Sequence, residues 1–149
     1  MQKITTFLTF EKNGEEAVKF YTSIFKNSKI NSIMSWEGQL LHSSFILDNE
    51  EFMAMDGGPH FTFTDGISLF ANCENQEEVD ELWEKLSEGG EKGQCGWLKD
   101  KYGVSWQVIP KQLGELMSSV DQNKSVRVRD AMLKMSKIEI SELQKAFEG

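Results

Sequence analysis

One pattern occurs twice in this 149-residue chain, 62 positions apart, and it narrows the folds open to the chain more than any other feature. The first copy sets Asn13 ahead of Glu15-Glu16 and the series Ala17, Phe20, Tyr21, Ile24. The second sets Asn75 ahead of Glu77-Glu78 and Val79, Leu82, Trp83, Leu86. An asparagine side chain can accept the free N–H groups at a helix start, and a glutamate three residues on can reach back to complete a capping box. Apolar residues at i, i+3, i+4 and i+7 make one stripe on a helix. Each copy therefore predicts a capped amphipathic helix, the first over about 14–25. Each helix follows a run rich in β-branched and aromatic residues, Ile4 to Phe10 and Ile67 to Cys73, which read as strands. A strand–helix unit repeated at one displacement reads as a duplicated module.

The segments after each helix complete the module. In the first copy, strands are predicted over Lys29 to Trp36, Gln39 to Leu47 and Glu51 to Met55, with turns at Glu37-Gly38 and Asp48-Asn49-Glu50. The order is β-α-β-β-β over about 1–56. Asp56-Gly57-Gly58-Pro59-His60 reads as a loop, and Phe61 to Gly66 as a linker with two exposed phenylalanines. The second copy, about 67–110, has a helix closed by Ser87 to Gly90 and a strand over Glu91 to Trp97. A hairpin loop at Leu98 to Gly103 and a strand over Val104 to Ile109 follow, stopped by Pro110, which cannot donate the next ladder bond. One strand of this copy is missing or very short. Along the last strand, alternation sends Val104, Trp106 and Val108 to one face and Ser105, Gln107 and Ile109 to the other.

The predicted class is α+β, with a single domain over 1–110 and a helical extension over 111–149. Leu113, Leu116, Met117 and Val120 are helically spaced, and Val128, Met132 and Met135 share a stripe on a helix from about 123 to 135. Ser141 with Gln144 reads as a third capping box, ahead of Leu143, Ala146 and Phe147. Helices this short do not stand alone in water, so they dock on the sheet or on a second subunit.

Composition excludes some functions. The 16 basic residues against 24 acidic ones give a net charge of −8, which argues against a nucleic-acid or anionic-membrane partner. Lys124, Arg127 and Arg129, near Asp121 and Asp130, read as a solvated helix face. Cys73 and Cys95 lack the spacing and histidine company of a zinc site, so they read as reduced thiols. No apolar run is long enough to span a membrane and no signal-peptide pattern is present, and a cytoplasmic location is expected.

Four motifs carry a resemblance to a known family: Phe20-Tyr21-Thr22-Ser23-Ile24-Phe25, Gly57-Gly58-Pro59-His60-Phe61, the run from Gln94 to Gln107 (QCGWLKDKYGVSWQ), and Ala131-Met132-Leu133-Lys134-Met135. The chain resembles the vicinal oxygen chelate superfamily of glyoxalase I, extradiol dioxygenases and bleomycin-resistance proteins. Within it, the chain is most similar to the PhnB-like branch, also labelled demethylubiquinone 3-methyltransferase. The resemblance implies two βαβββ modules curling into a half-barrel with a cavity inside, and a homodimer in which the second subunit helps to wall that cavity. In the superfamily's enzymes a divalent metal is held by a His or Gln on each module's first strand and a Glu on each last strand. Carried over, these positions fall at Thr5 or Thr6, at Ile67 or Ser68, near Ala54 and at Gln107. That set leaves the charge of a divalent ion uncompensated, because such a site wants three or four His nitrogens or carboxylate oxygens. No metal is therefore expected. The glycine-rich turn after a parallel strand that marks many S-adenosylmethionine sites is also missing, and no cofactor is expected.

Six residues are the candidate ligand contacts. Gln107 is a polar anchor on the face opposite Trp106, and His60 is a polar or basic group on the inter-module loop. Trp97, Phe61 and Trp36 are aromatic walls for a planar molecule, and Cys95 is a thiol beside Gly96 and Trp97. No catalytic residue is assigned. The expected function is metal-independent binding of a small apolar or aromatic molecule. The alternatives are an enzyme, either a metal-dependent lyase or dioxygenase or a methyltransferase as the branch label says, and a drug-sequestering resistance protein.

Overall fold

The computed structural model describes residues 1–149, which divide into two compact units, Met1–Phe63 and Thr64–Gly149. Both are built as a strand, a helix and three further strands.

The first unit contains β1 (Thr6–Phe10), α1 (Gly14–Ile24), β2 (Lys29–Trp36), β3 (Gln39–Leu47) and β4 (Glu50–Asp56). Its sheet has the order β1-β4-β3-β2, with β1 parallel to β4 and the other pairs antiparallel. Period-two burial separates the faces. Leu8, Phe10, Phe45, Leu47 and Ala54 point to the side that carries α1 and are buried there, each worth up to about 1.5–3 kcal/mol for a full-sized side chain. Phe7, Thr9, Met53 and Met55 take the opposite face, as their pairing requires.

The start of α1 departs from the local reading. Asn13 adopts a left-handed conformation (φ 63°) and its side chain makes no cap bond. Asp56, at the end of β4, does that work. Its Oδ1 accepts the Gly14 N–H at 2.8 Å and its Oδ2 accepts the Leu40 N–H at 2.9 Å. A Cβ on Gly14 would lie 2.6 Å from that carboxylate, so residue 14 has to be glycine for the bond to form. The buried stripe is accordingly Gly14, Ala17, Val18 and Tyr21, with Phe20 and Ile24 only half-buried at its margin.

The second unit contains β5 (Leu69–Cys73), α2 (Gln76–Ser87), β6 (Glu91–Lys92), β7 (Trp97–Lys99) and β8 (Ser105–Pro110). It continues into α3 (Lys111–Met117), α4 (Gln122–Met132) and α5 (Ile140–Glu148). Its sheet order, β5-β8-β7-β6, repeats that of the first unit, and β5 is again parallel to β8. Here the predicted cap forms: the Asn75 side chain accepts the Glu78 N–H at 2.9 Å, and Glu78 accepts the Glu74 N–H at 2.8 Å. Val79, Leu82, Trp83 and Leu86 are buried, as the spacing predicts.

The strand expected over Glu91 to Trp97 is split in two. Cys95 donates its N–H to Met135 O and Gly96 donates to Ser136 O, both at 2.8 Å, while the Ser136 hydroxyl donates to Gly93 O at 2.6 Å. The C-terminal chain thus takes the hydrogen bonds that a continuous strand would have used, which is why β6 is two residues long. Trp97–Lys99, part of it expected to be loop, is strand β7, and the turn begins at Asp100.

The extension docks on the sheet of its own unit. Ile109 packs with Leu113, Val128, Ile138 and Leu143, with Met132, Met135 and Phe147 against them. Val120 lies outside α3 and is fully exposed. The capping box expected at Ser141 does not form, because α5 starts at Ile140, whose N–H is accepted by Gln76 Oε1 of α2 at 2.8 Å. Arg127, expected on a solvated face, instead donates to Ala146 O and Phe147 O and closes the end of α5. No helix is long and apolar enough to cross a membrane.

Candidate functional site

Strand β8 is aimed by the turn that precedes it. The buried Asp100 carboxylate accepts the Tyr102 N–H at 2.9 Å and the Val104 N–H at 3.1 Å through Oδ1, and the Trp106 indole N–H at 2.8 Å through Oδ2. Three donors on one buried carboxylate fix the turn and pin Trp106, 3% exposed, to the helix side of the sheet. Alternation then turns Gln107 to the other face. There Gln107 is paired with Phe70 on β5 and Trp97 on β7. Its Nε2 donates to Ser68 Oγ at 2.9 Å, which orients the amide and leaves its oxygen and second N–H to point elsewhere.

That face is one wall of an open cavity of about 720 Å³. Phe70, Asn72, Trp97 and Gln107 line it from the sheet, Cys95 from the loop before β7, and Leu113, Gly114, Met117 and Met132 from the extension. Of the candidates named from the sequence, the structure brings Gln107, Trp97 and Cys95 together here. Trp36, His60 and Phe61 belong to the first unit, where all three are exposed, Trp36 at the end of β2 and the other two after β4. Phe70, Asn72 and the helical residues were missed. Period-two alternation on β5 carried a signal for the first two; the docking of the extension left none.

The cavity holds no unpaired cation. Lys111, its one basic lining residue, meets Glu74 at 2.6 Å, and that pairing raises the lysine's pKa. Glu115, also in the lining, adds a negative charge at the rim. The two thiols differ. Burial pushes Cys73 up to about 12, with the Glu78 charge adding to the shift, so it stays protonated and inert. Cys95 is half-buried in the cavity wall, with a left-handed backbone (φ 59°).

The positions to which the resemblance assigns metal ligands carry poor ones. Gln107 pairs with Phe70 and Met53 pairs with Phe7, so Met53 is the counterpart of Gln107 on β4. Ala54, the expected counterpart, is fully buried on the helix side, a correction of one residue. Thr5, one residue before β1, and Ser68, one residue before β5 and bonded to Gln107, stand at the first-strand positions. Two hydroxyls, a thioether and an amide do not fit a catalytic divalent ion. No group of three or more His, Cys, Asp or Glu residues is placed to hold one. The β1–α1 and β5–α2 turns do not suit S-adenosylmethionine in the glycine-rich manner either, since Gly14 is filled by Asp56 and Asn75 caps its own helix.

Residues 2–109 match the family model described as 3-demethylubiquinone-9 3-methyltransferase. The chain belongs to this family. Among solved structures it is similar to the PhnB protein of Bacillus cereus, which bears the same methyltransferase label, at 42% identity and a TM-score of 0.70. That match covers 73% of this chain and 99% of the other. Two more distant structures share the fold. One is the fosfomycin resistance protein FosX of Listeria monocytogenes in complex with Mn(II) and 1S,2S-dihydroxypropylphosphonic acid, at 18% identity and TM-score 0.52, covering 71% of this chain and 90% of that one. The other is a glyoxylase/bleomycin resistance protein/dioxygenase domain from Frankia, at 13% identity and TM-score 0.51, covering 74% and 92%. No curated protein matches. These findings set the chain in the PhnB-like branch of the vicinal oxygen chelate superfamily, with two unclosed mixed sheets and C-terminal helices as its α+β fold. The family match stops at Ile109, immediately before Pro110 and α3.

Proposed function

We propose that this PhnB-like protein binds a small neutral or cationic aromatic molecule in the cavity of its second unit, without a metal. The carrying observation is the wall that Gln107 shares with Trp97, Phe70 and Asn72. Two ring faces stand beside two primary amides, and the only lysine is already paired. A planar ligand would stack or pack on the rings, and an amide oxygen and N–H would bond a carbonyl or ring nitrogen at its edge. An anion such as a phosphonate has no free cation to meet here. FosX, by its name and bound ligands, handles a phosphonate with Mn(II). The homodimer belongs to the same proposal. Phe7, Met34, Trp36 and Leu41 of the first unit are 43–67% exposed, an apolar area that a second copy of the chain would cover.

A thermal-shift screen of neutral, cationic and anionic aromatic compounds tests the reading. Stabilisation confined to the first two classes, and reduced in Gln107→Leu, is expected, because a ligand that binds only the folded state raises its midpoint. Stabilisation by anionic compounds alone would refute it. Calorimetry with S-adenosylmethionine tests the family label, and tight binding would favour the methyltransferase. Metal analysis of the purified protein, showing stoichiometric Mn, Fe or Zn, would favour the metal enzyme. Sedimentation of Trp36→Ser against the unaltered chain tests the dimer.

A further inference from the structure

α3 carries a glycine in its interior, and the structure gives no packing reason for it. Glycine destabilises a helix interior relative to alanine, so an interior glycine calls for an explanation. At Gly14 the explanation is contact, since a Cβ there would strike Asp56 and Leu40. Gly114 is exposed, and a Cβ there would meet nothing within 4 Å. The neighbouring backbone is ordinary helix, with Ser118 donating to Gly114 O at 3.0 Å, so no special conformation demands glycine either. What lies next to Gly114 is the cavity, which it lines together with Met117 and Met132. These three residues all lie in the extension, beyond the residues that the family model matches.

We infer that the extension is the selectivity wall of the cavity, and that the missing side chain at Gly114 keeps open the space the ligand occupies. This rests on the proposal that the cavity binds an aromatic molecule, and adds which part of the chain decides what fits. The sheet supplies the amides and rings; the extension sets how large the ligand is. The two methionines suit that task, because unbranched thioether side chains adjust to the outline of an aromatic guest and favour contact with ring edges.

The test is a size series at one position, Gly114→Ala, Gly114→Leu and Gly114→Phe, made in the full chain. Two fluorescent probes that share an aromatic frame are titrated into each: N-phenyl-1-naphthylamine, which is neutral, and 1-anilinonaphthalene-8-sulfonate, which is an anion. The unaltered chain should bind the neutral probe more tightly. Affinity for it should fall stepwise along the series, by about tenfold or more at phenylalanine, as expected when a filled space must be forced open. Thermal midpoints should hold or rise at alanine, which shows that the loss is not unfolding. Met117→Trp, which fills the same space from another residue, should reproduce the loss. Equal affinity across the series and in Met117→Trp would overturn the inference while leaving the cavity reading intact. Failure of the neutral probe to bind the unaltered chain would overturn both.

Discussion

The two units share one strand order and one strand–helix plan, yet they use the sheet face opposite the helix differently. In the first unit that face presents the apolar pair Phe7 and Met53. In the second, the corresponding face carries Phe70 and Gln107, and the extension packs on its Ile109 end. The buried carboxylates differ too. Asp56 joins the end of β4 to the starts of α1 and β3, whereas Asp100 serves its own turn and the next strand. Duplication fixes the framework, and what each copy does with its free face depends on a few polar side chains and on what the chain adds later.

The strongest way to break this comparison is to remove the two carboxylates in turn. Asp100→Ala strands three donors and Asp56→Ala two, so both should destabilise by about 2–5 kcal/mol, with Asp100 the larger. Urea unfolding gives the order, and near-equal small losses would show that neither carboxylate organises its unit. Next come the helix glycines. Gly14→Ala should cost about 1–3 kcal/mol by crowding Asp56 and Leu40, while Gly114→Ala should gain about 0.5–1 kcal/mol. Opposite signs sharpen the contrast between a glycine that makes room for a carboxylate and one that faces a cavity; equal signs would remove it.

Much of the framework was legible in the sequence because it rests on local signals. The repeat, the alternation in β8, the Asn75 cap and the Gln107 face need only neighbours in the chain. The misreadings share one cause. Asn13, Ser141 and the strand over Glu91 to Trp97 were each displaced by a partner far along the chain: Asp56, Gln76 and the Met135-Ser136 segment. The site was half legible for the same reason. Gln107, Trp97 and Cys95 lie close together in sequence and meet in the cavity, whereas the methionines and Gly114 reach it only through the docking of the extension.

Two smaller effects follow. Cys95 should react with a thiol reagent in the native protein while Cys73 waits for unfolding, because burial holds the Cys73 thiol protonated. Reaction at equal rates would contradict the assignment of only one thiol to the cavity. The smallest concerns the Lys137–Asp80 pair, at 2.8 Å, which ties the extension to α2. The Lys137 and Gln76 hydrogen bonds hold Asp80 below its ordinary 3.8, so its contribution is present above that value and lost as pH falls through the lower folded one. Lys137 is raised by Asp80, so its part persists below 10.5 and is lost as pH rises through the higher folded value. The side chain of Asp80 is exposed and that of Lys137 half-buried at the surface, and Asp80→Asn should cost under about 1 kcal/mol at neutral pH and less below pH 4.

The four tryptophans offer the most direct test of the central claim, since each indole N–H gives its own signal in a proton–nitrogen correlation spectrum. Titration with N-phenyl-1-naphthylamine should move Trp97, in the cavity wall, and leave Trp36 of the first unit and the core Trp83 in place. Movement of Trp36 with Trp97 unchanged would place the ligand on the first unit and contradict the account.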